Sequence, residues 1–265
     1  SGGSLTNSEG TGFIQGAGDL CLFALRKTGA IIDFQAWESI RGLLNEYKFS
    51  GYINEPVTAW EWLQNNILPF LPIEARAGVD GIKPLVSLLF VASGFVPARK
   101  IETSSDFQVI SPIEMVSSID EIVNKYKLRW AKSGYIDTLT QIHIVDAERD
   151  FDTAAISSSA YAWISQNRYG VREKTEDAAY IYDHNTAARV AQEKLRAAAF
   201  PFRTFTVSAN VKFGYLMLGD VIRLTSSELY LDDDPVIIVG KSWTGSEWNF
   251  LINIEDNPIL NTRSL

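Results

Sequence analysis

Four β-patterned runs crowd the C-terminal quarter of this chain: FRTFTVSANV (202–211), GDVIRLTSS (219–227), PVIIVGKSW (235–243) and EWNFLINIED (247–256). They follow one another at roughly 8 to 12 residue intervals, separated by Gly, Ser, Asp and Pro corners, the pattern of short antiparallel strands. Such a succession folds as a small barrel or sandwich. The sharpest corner lies in FGYLMLGDVIRLT (213–225). There Gly219 supplies the backbone freedom for a tight turn and Asp220 a local hydrogen bond, so that a strand can start at Val221.

The chain before these runs reads as helical. GDLCLFALRKTG ends at Gly29 as a helix ends at a C-cap, and Asp33 precedes FQAWESIRGLLNEYKF as an N-cap. Phe34, Trp37, Ile40, Leu43 and Leu44 recur at three- and four-residue steps and line one face. In NEPVTAWEWLQNNILPFLP, Pro56 suits a first turn, Thr58 and Glu61 have capping-box spacing, Trp62, Leu63 and Ile67 form the buried stripe, and Pro69 stops the helix. The Gly-x-Asp-Gly corner within IEARAGVDGIKPLVSLLFV (73–91) predicts a hairpin. PIEMVSSIDEIVNKYKLRW (112–130) carries helix-start signals, and LTQIHIVDA (139–147) reads as a strand. A helix rich in Ala, Glu, Lys, Arg and Leu runs from Asn185 or Thr186 to Ala199, ended by Phe200-Pro201. The fold class is therefore α+β: a helical stretch with a small sheet, then a barrel-like antiparallel domain on which that helix packs.

At 265 residues, with 46% hydrophobic and 21% charged residues, the chain has the balance of a folded protein. A net charge of −8 argues against tight binding to nucleic acid. No apolar run reaches the length of a membrane helix. The single cysteine, Cys21, forms no internal disulfide and reads as a small buried hydrophobe. The Gly/Ser-rich opening, residues 1–17, reads as a linker or appended leader, and the chain as a portion of a longer polypeptide.

No residue pattern marks a catalytic, cofactor or metal site. His143 and His184 stand some 40 residues apart with no Cys or His at ligand spacing. Asp232, Asp233 and Asp234 lack the spacing of a calcium loop and read as a solvated turn. Glu61, Asp80 and Asp137 read as surface carboxylates, although only their separation in space would decide a glycosidase pair. Trp37, Trp60, Trp62, Trp130, Trp163, Trp243 and Trp248 read first as core aromatics, with a sugar-stacking platform as the other possibility.

The order of these pieces resembles the central hub proteins of bacteriophage tail tips and baseplates, of the tip attachment protein kind. The resemblance rests on DLCLFALRKTGAIIDFQAWESI, the hairpin ARAGVDGIKPLV, Tyr169-Gly170, the helix from Ala187 to Leu195 ending before Pro201, the corner Leu218-Gly219-Asp220-Val221, and the closing hairpin through Val239 and Leu251. It implies a non-enzymatic virion protein without cofactors. Such a protein is a homotrimer that continues the tail tube, supports host attachment and DNA passage, and contacts tail-tube, distal-tail, fibre or tape-measure proteins. It would be assembled in the host cytoplasm and located at the tail tip. In that frame residues 18–145 are a helical α+β insertion and 146–265 a barrel-like hub domain. The alternative is a carbohydrate-binding or carbohydrate-cleaving module of a phage tail.

Overall fold

Helix α1, Ala17–Thr28, ends where Gly29 turns left-handed at φ 70°. Helix α2, Phe34–Leu44, begins at Asp33, whose carboxylate accepts from the Ala36 N–H at 3.0 Å. Helix α3, Ala59–Asn66, begins at Thr58, whose hydroxyl accepts from the Glu61 N–H at 3.2 Å. Caps of this kind are worth about 1 kcal/mol each. A 3-10 turn, Leu68–Phe70, follows and contains Pro69. These observations come from a computed structural model that describes residues 14–50, 57–78, 81–86, 99–100, 107–109, 114–115, 119–133, 135, 138–148, 158–226 and 231–255. The predicted roles of Pro56 and residues 87–91 fall outside the described residues.

Strands β1, Ile73–Gly78, and β2, Gly81–Val86, form the expected antiparallel hairpin. Three short strands follow: β3, Arg99–Lys100, β4, Phe107–Val109, and β5, Glu114–Met115. Among the described residues of 112–130 the expected helix is absent: a 3-10 turn, Ile119–Glu121, stands there, and strand β6 runs from Lys125 to Lys132. Tyr126, Leu128 and Trp130 are buried while Lys125, Lys127 and Arg129 are not, and this period of two overrides the helix-start signals. Strand β7, Leu139–Val145, pairs antiparallel with β6.

Helix α4, Ser158–Tyr169, and strand β8, Glu173–Ala178, come next, and β8 pairs with β6 in parallel. A parallel neighbour demands a crossover, which α4 supplies. Helix α5, His184–Ala198, is capped by Asp183, which accepts from the Thr186 N–H at 2.7 Å. It packs on β6 and β7, not on the C-terminal sheet as the sequence suggested. Val190, Ala191 and Leu195 explain this, because their apolar stripe meets the buried face of β6.

Strands β9, Phe202–Ala209, β10, Val221–Ser226, β11, Leu231–Trp243, and β12, Trp248–Glu255, are the four predicted runs. Consecutive neighbours in the order β10-β11-β12-β9 pair antiparallel in a curled half-barrel. Asp232 to Asp234 lie within β11 and not in a turn; Asp234 pairs with Leu224. The sheet also takes in β3, β4 and β5, from the stretch 18–145 in which the resemblance implies the helical insertion. Among the described residues two buried clusters result. One gathers Trp37, Tyr47, Leu63, Tyr126, Leu128 and Leu195 from chain positions 17–200. The other gathers Phe205, Val207, Ile222, Val236, Ile238 and Phe250 from positions 205–252.

Candidate functional site

The two clusters meet at a cleft of about 330 Å³. Phe70 and Leu71, the hairpin residues Ile73, Leu85 and Val86, the α5 residues Val190 and Ala197, and Ile237 to Val239 of β11 give it an apolar lining. Gly219 sits beside this joint. Its φ of 83° makes the corner, its N–H donates to the Ile238 carbonyl at 2.7 Å, and Asp220 closes the turn by accepting from the Met217 N–H at 2.8 Å. The direction a Cβ would take from Gly219 is filled by the Leu85 side chain. The Gly219-Asp220 corner therefore does two things: it starts β10 and it seats the β1-β2 hairpin against the half-barrel.

Two adjacent charges of α5 line the same cleft. Glu193 accepts from the Tyr47 hydroxyl at 2.6 and 2.8 Å, and the Arg189 guanidinium stands 3.6 Å away. Burial holds the Glu193 carboxyl above its usual range, and pushes the Tyr47 phenol up, with Glu193 adding to that rise. Burial also lowers the Lys194 ammonium, against the attraction of Glu176 at 3.6 Å. Burial raises the Glu176 carboxyl less than its bonds from Lys174 and Tyr126 lower it, so it lies below the ordinary value. The pairs knit β6, β8 and α5 and leave the cleft floor apolar. Such a joint accommodates apolar side chains against a rim that carries fixed, paired charges.

The residues weighed on sequence fall as follows. The structure brings His143 and His184 together, ring centroids 5.6 Å apart, with Trp130 6.0 Å from His184. Burial and then the neighbouring His184 lower the His143 imidazole. No group of three or more His, Cys, Asp or Glu that could hold a metal occurs among the described residues. Glu61 is exposed on α3; Asp80 and Asp137 lie outside the described residues. Cys21 is buried in α1, and burial raises its thiol. Trp37, Trp62 and Trp130 are core, whereas Trp163 and Trp243 are exposed.

One surface went unread in the sequence, and a second belongs to the sugar-stacking alternative. On the outer face of the three-stranded sheet Ile142 and Ile144 are about half exposed, at 52% and 49%. Beside them run the ion pairs Lys127–Glu173 at 2.6 Å and Arg129–Asp177 at 2.5 and 2.7 Å. The alternation of LTQIHIV announces two faces but not which is covered, since both carry isoleucine or valine. The other surface is the β11-β12 end, where Trp243 and Trp248 pair with centroids 4.8 Å apart.

Residues 124–238 match a protein-family model described as "Putative phage tail protein". This stretch holds the three-stranded sheet, α4, α5 and most of the half-barrel. A search of curated proteins finds no match to the chain. A search of solved structures aligns the chain with one in the virion of a native gene transfer agent particle, at 16% identity, TM-score 0.37, over 60% of this chain and 32% of that one. Prophage tail protein gp18 from Listeria monocytogenes EGD-e aligns at 10% identity, TM-score 0.35, over 71% of this chain and 50% of that one. The 43 kDa tail protein of prophage MuSo2 from Shewanella oneidensis aligns at 11% identity, TM-score 0.33, over 59% and 43%. The chain therefore spans between a third and half of the length of these structures.

Proposed function

We propose that this chain is a non-catalytic structural segment of a phage tail-tip or baseplate hub, assembled at the tail tip of the virion from subunits made in the host cytoplasm. In this reading three copies of the full-length protein continue the tail tube, support receptor binding and let the genome pass. The observation that carries the proposal is the match of residues 124–238 to the phage tail family model. Within that stretch the outer face bearing Ile142 and Ile144 suits a neighbouring tail subunit, since half-exposed apolar side chains beside charged pairs are a common composition for a subunit interface. The net charge of −8 suits a passage along which DNA slides, because 32 carboxylates outnumber 24 lysines and arginines and so oppose the holding of phosphates. Among the described residues no helix is long and apolar enough to cross a membrane.

Electron microscopy of purified tails containing the full-length protein tests this. Threefold density at the tube's tip that accommodates β9 to β12 and the three-stranded sheet is the expected result. Density in a peripheral fibre, or turnover of a glycan by the purified protein, overturns it. The double variant Ile142→Ser, Ile144→Ser should fold as the parent does and fail to enter tails.

A further inference from the structure

At the end of the β11-β12 hairpin the structure presents a partly exposed aromatic surface, where Trp243 and Trp248 pair across the strands. Trp248 is the structural member of the pair: Gly214 lies against its indole nitrogen, and the Lys241 ammonium stands 4.2 Å from its ring centre. That ammonium donates to the carbonyls of Gly214 at 2.6 Å and Leu216 at 2.8 Å, so its charge is spent on holding the 3-10 turn Val211–Tyr215. Trp243 leans on Trp248 but leaves 45% of itself in solvent, and Tyr215, on the turn beyond Trp248, leaves 51%. Around Trp243 the exposed chain is polar: Ser242, Thr244, Ser246 and Glu247. Glu247 accepts from the Ser208 hydroxyl, and its backbone carbonyl accepts from Thr244, so the hairpin end is a built turn that holds the Trp243 ring in place.

We infer that this platform, centred on Trp243, binds an uncharged glycan chain by stacking. A pyranose ring has an apolar C–H face and a rim of hydroxyls, which match an exposed indole bordered by hydroxyl and carboxylate groups. A charged ligand fits poorly. The Lys241 ammonium is occupied by the Gly214 and Leu216 carbonyls, and Glu247 together with the net charge of −8 repels anionic saccharides and anionic lipid. The surface is an open ledge and not a pocket, so it suits successive units of a chain more than a single sugar.

Saturation-transfer NMR on the purified chain with neutral tetrasaccharides of glucose and of N-acetylglucosamine tests the inference. Transfer to ring C–H protons of at least one tetrasaccharide is expected, weakened about tenfold in Trp243→Ala and largely kept in Trp243→Tyr, the loss of one stacking contact. Thermal unfolding of both variants separates loss of binding from loss of fold. No transfer in the parent, equal transfer in Trp243→Ala, or association with phosphatidylcholine vesicles alone overturns the inference, the last by marking a membrane-facing patch.

Discussion

The two buried clusters are built in opposite ways. The half-barrel cluster comes from a single run of 48 residues, Phe205 to Ile252, and its strands pair largely with sequence neighbours around an apolar interior. The helical cluster draws on positions 17 to 200, joins β6 to β8 in parallel across α4, and buries Tyr47 against Glu193, 146 residues apart. The first kind of core follows from local pattern. The second depends on partners that meet only when most of the chain is in place, and it therefore concentrates the shifted ionisable groups.

The largest effect that sharpens this comparison is expected at Trp37. It is fully buried, and its indole N–H donates to the Ile82 carbonyl at 3.0 Å, tying α2 to the hairpin. Trp37→Ala should cost about 3 to 5 kcal/mol in denaturant unfolding, and Trp62→Ala a similar amount. The Trp62 indole nitrogen is buried without a partner, so Trp62→Phe should cost about 1 kcal/mol less than Trp37→Phe. Equal costs would show that the Ile82 bond adds nothing.

Next in size is Gly219→Ala, at about 1 to 3 kcal/mol, because alanine must take a positive φ and meet Leu85. Both clusters should lose stability together, read by separate probes near Trp37 and near Trp248. A loss confined to the half-barrel would break the claim that Gly219 couples the two.

Smaller effects appear as pH slopes. The folded state holds the Glu193 proton above the ordinary carboxyl range, where the unfolded chain has lost it, so stability falls as pH rises through that window. The slope is at most about 1.4 kcal/mol per pH unit, and Glu193→Gln should flatten it. His143 acts oppositely: its folded value lies below the ordinary 6.5, so stability is lost as pH falls through that value. His143→Gln should remove this smaller loss. In the half-barrel, Lys241 is lowered by burial, so its contribution to stability rises with pH below the ordinary lysine range. Acid-range slopes that moved with half-barrel variants instead would contradict the division.

The same contrast decides how much was legible in the sequence. Caps and corners act within a few residues, so Asp33, Thr58, Gly29 and the Gly219-Asp220 turn could be read directly, as could the four C-terminal strands. Strand β8, EKTEDA, could not: it has no apolar period and is a strand because β6 offers it a parallel edge and Lys127 and Arg129 face Glu173 and Asp177. Helix α4 was hidden because, apart from Tyr161, its buried residues are the small Ser158, Ala160, Ala162 and Ser165, which give little hydrophobic contrast. Of the candidate sites, the exposed Trp243 lay within a stated alternative, whereas the Tyr47–Glu193 joint carries no local signal.

The seat that Gly219 provides for Leu85 also shapes how the chain can change over generations. A smaller residue at 85 leaves Gly219 undisturbed, so that substitution is open at the cost of a void. The reverse order is closed: shrinking residue 85 makes room for a Cβ at 219 but does not relieve its positive φ. Epistasis between the two positions is therefore one-way, and lineages should wander at 85 while 219 stays glycine.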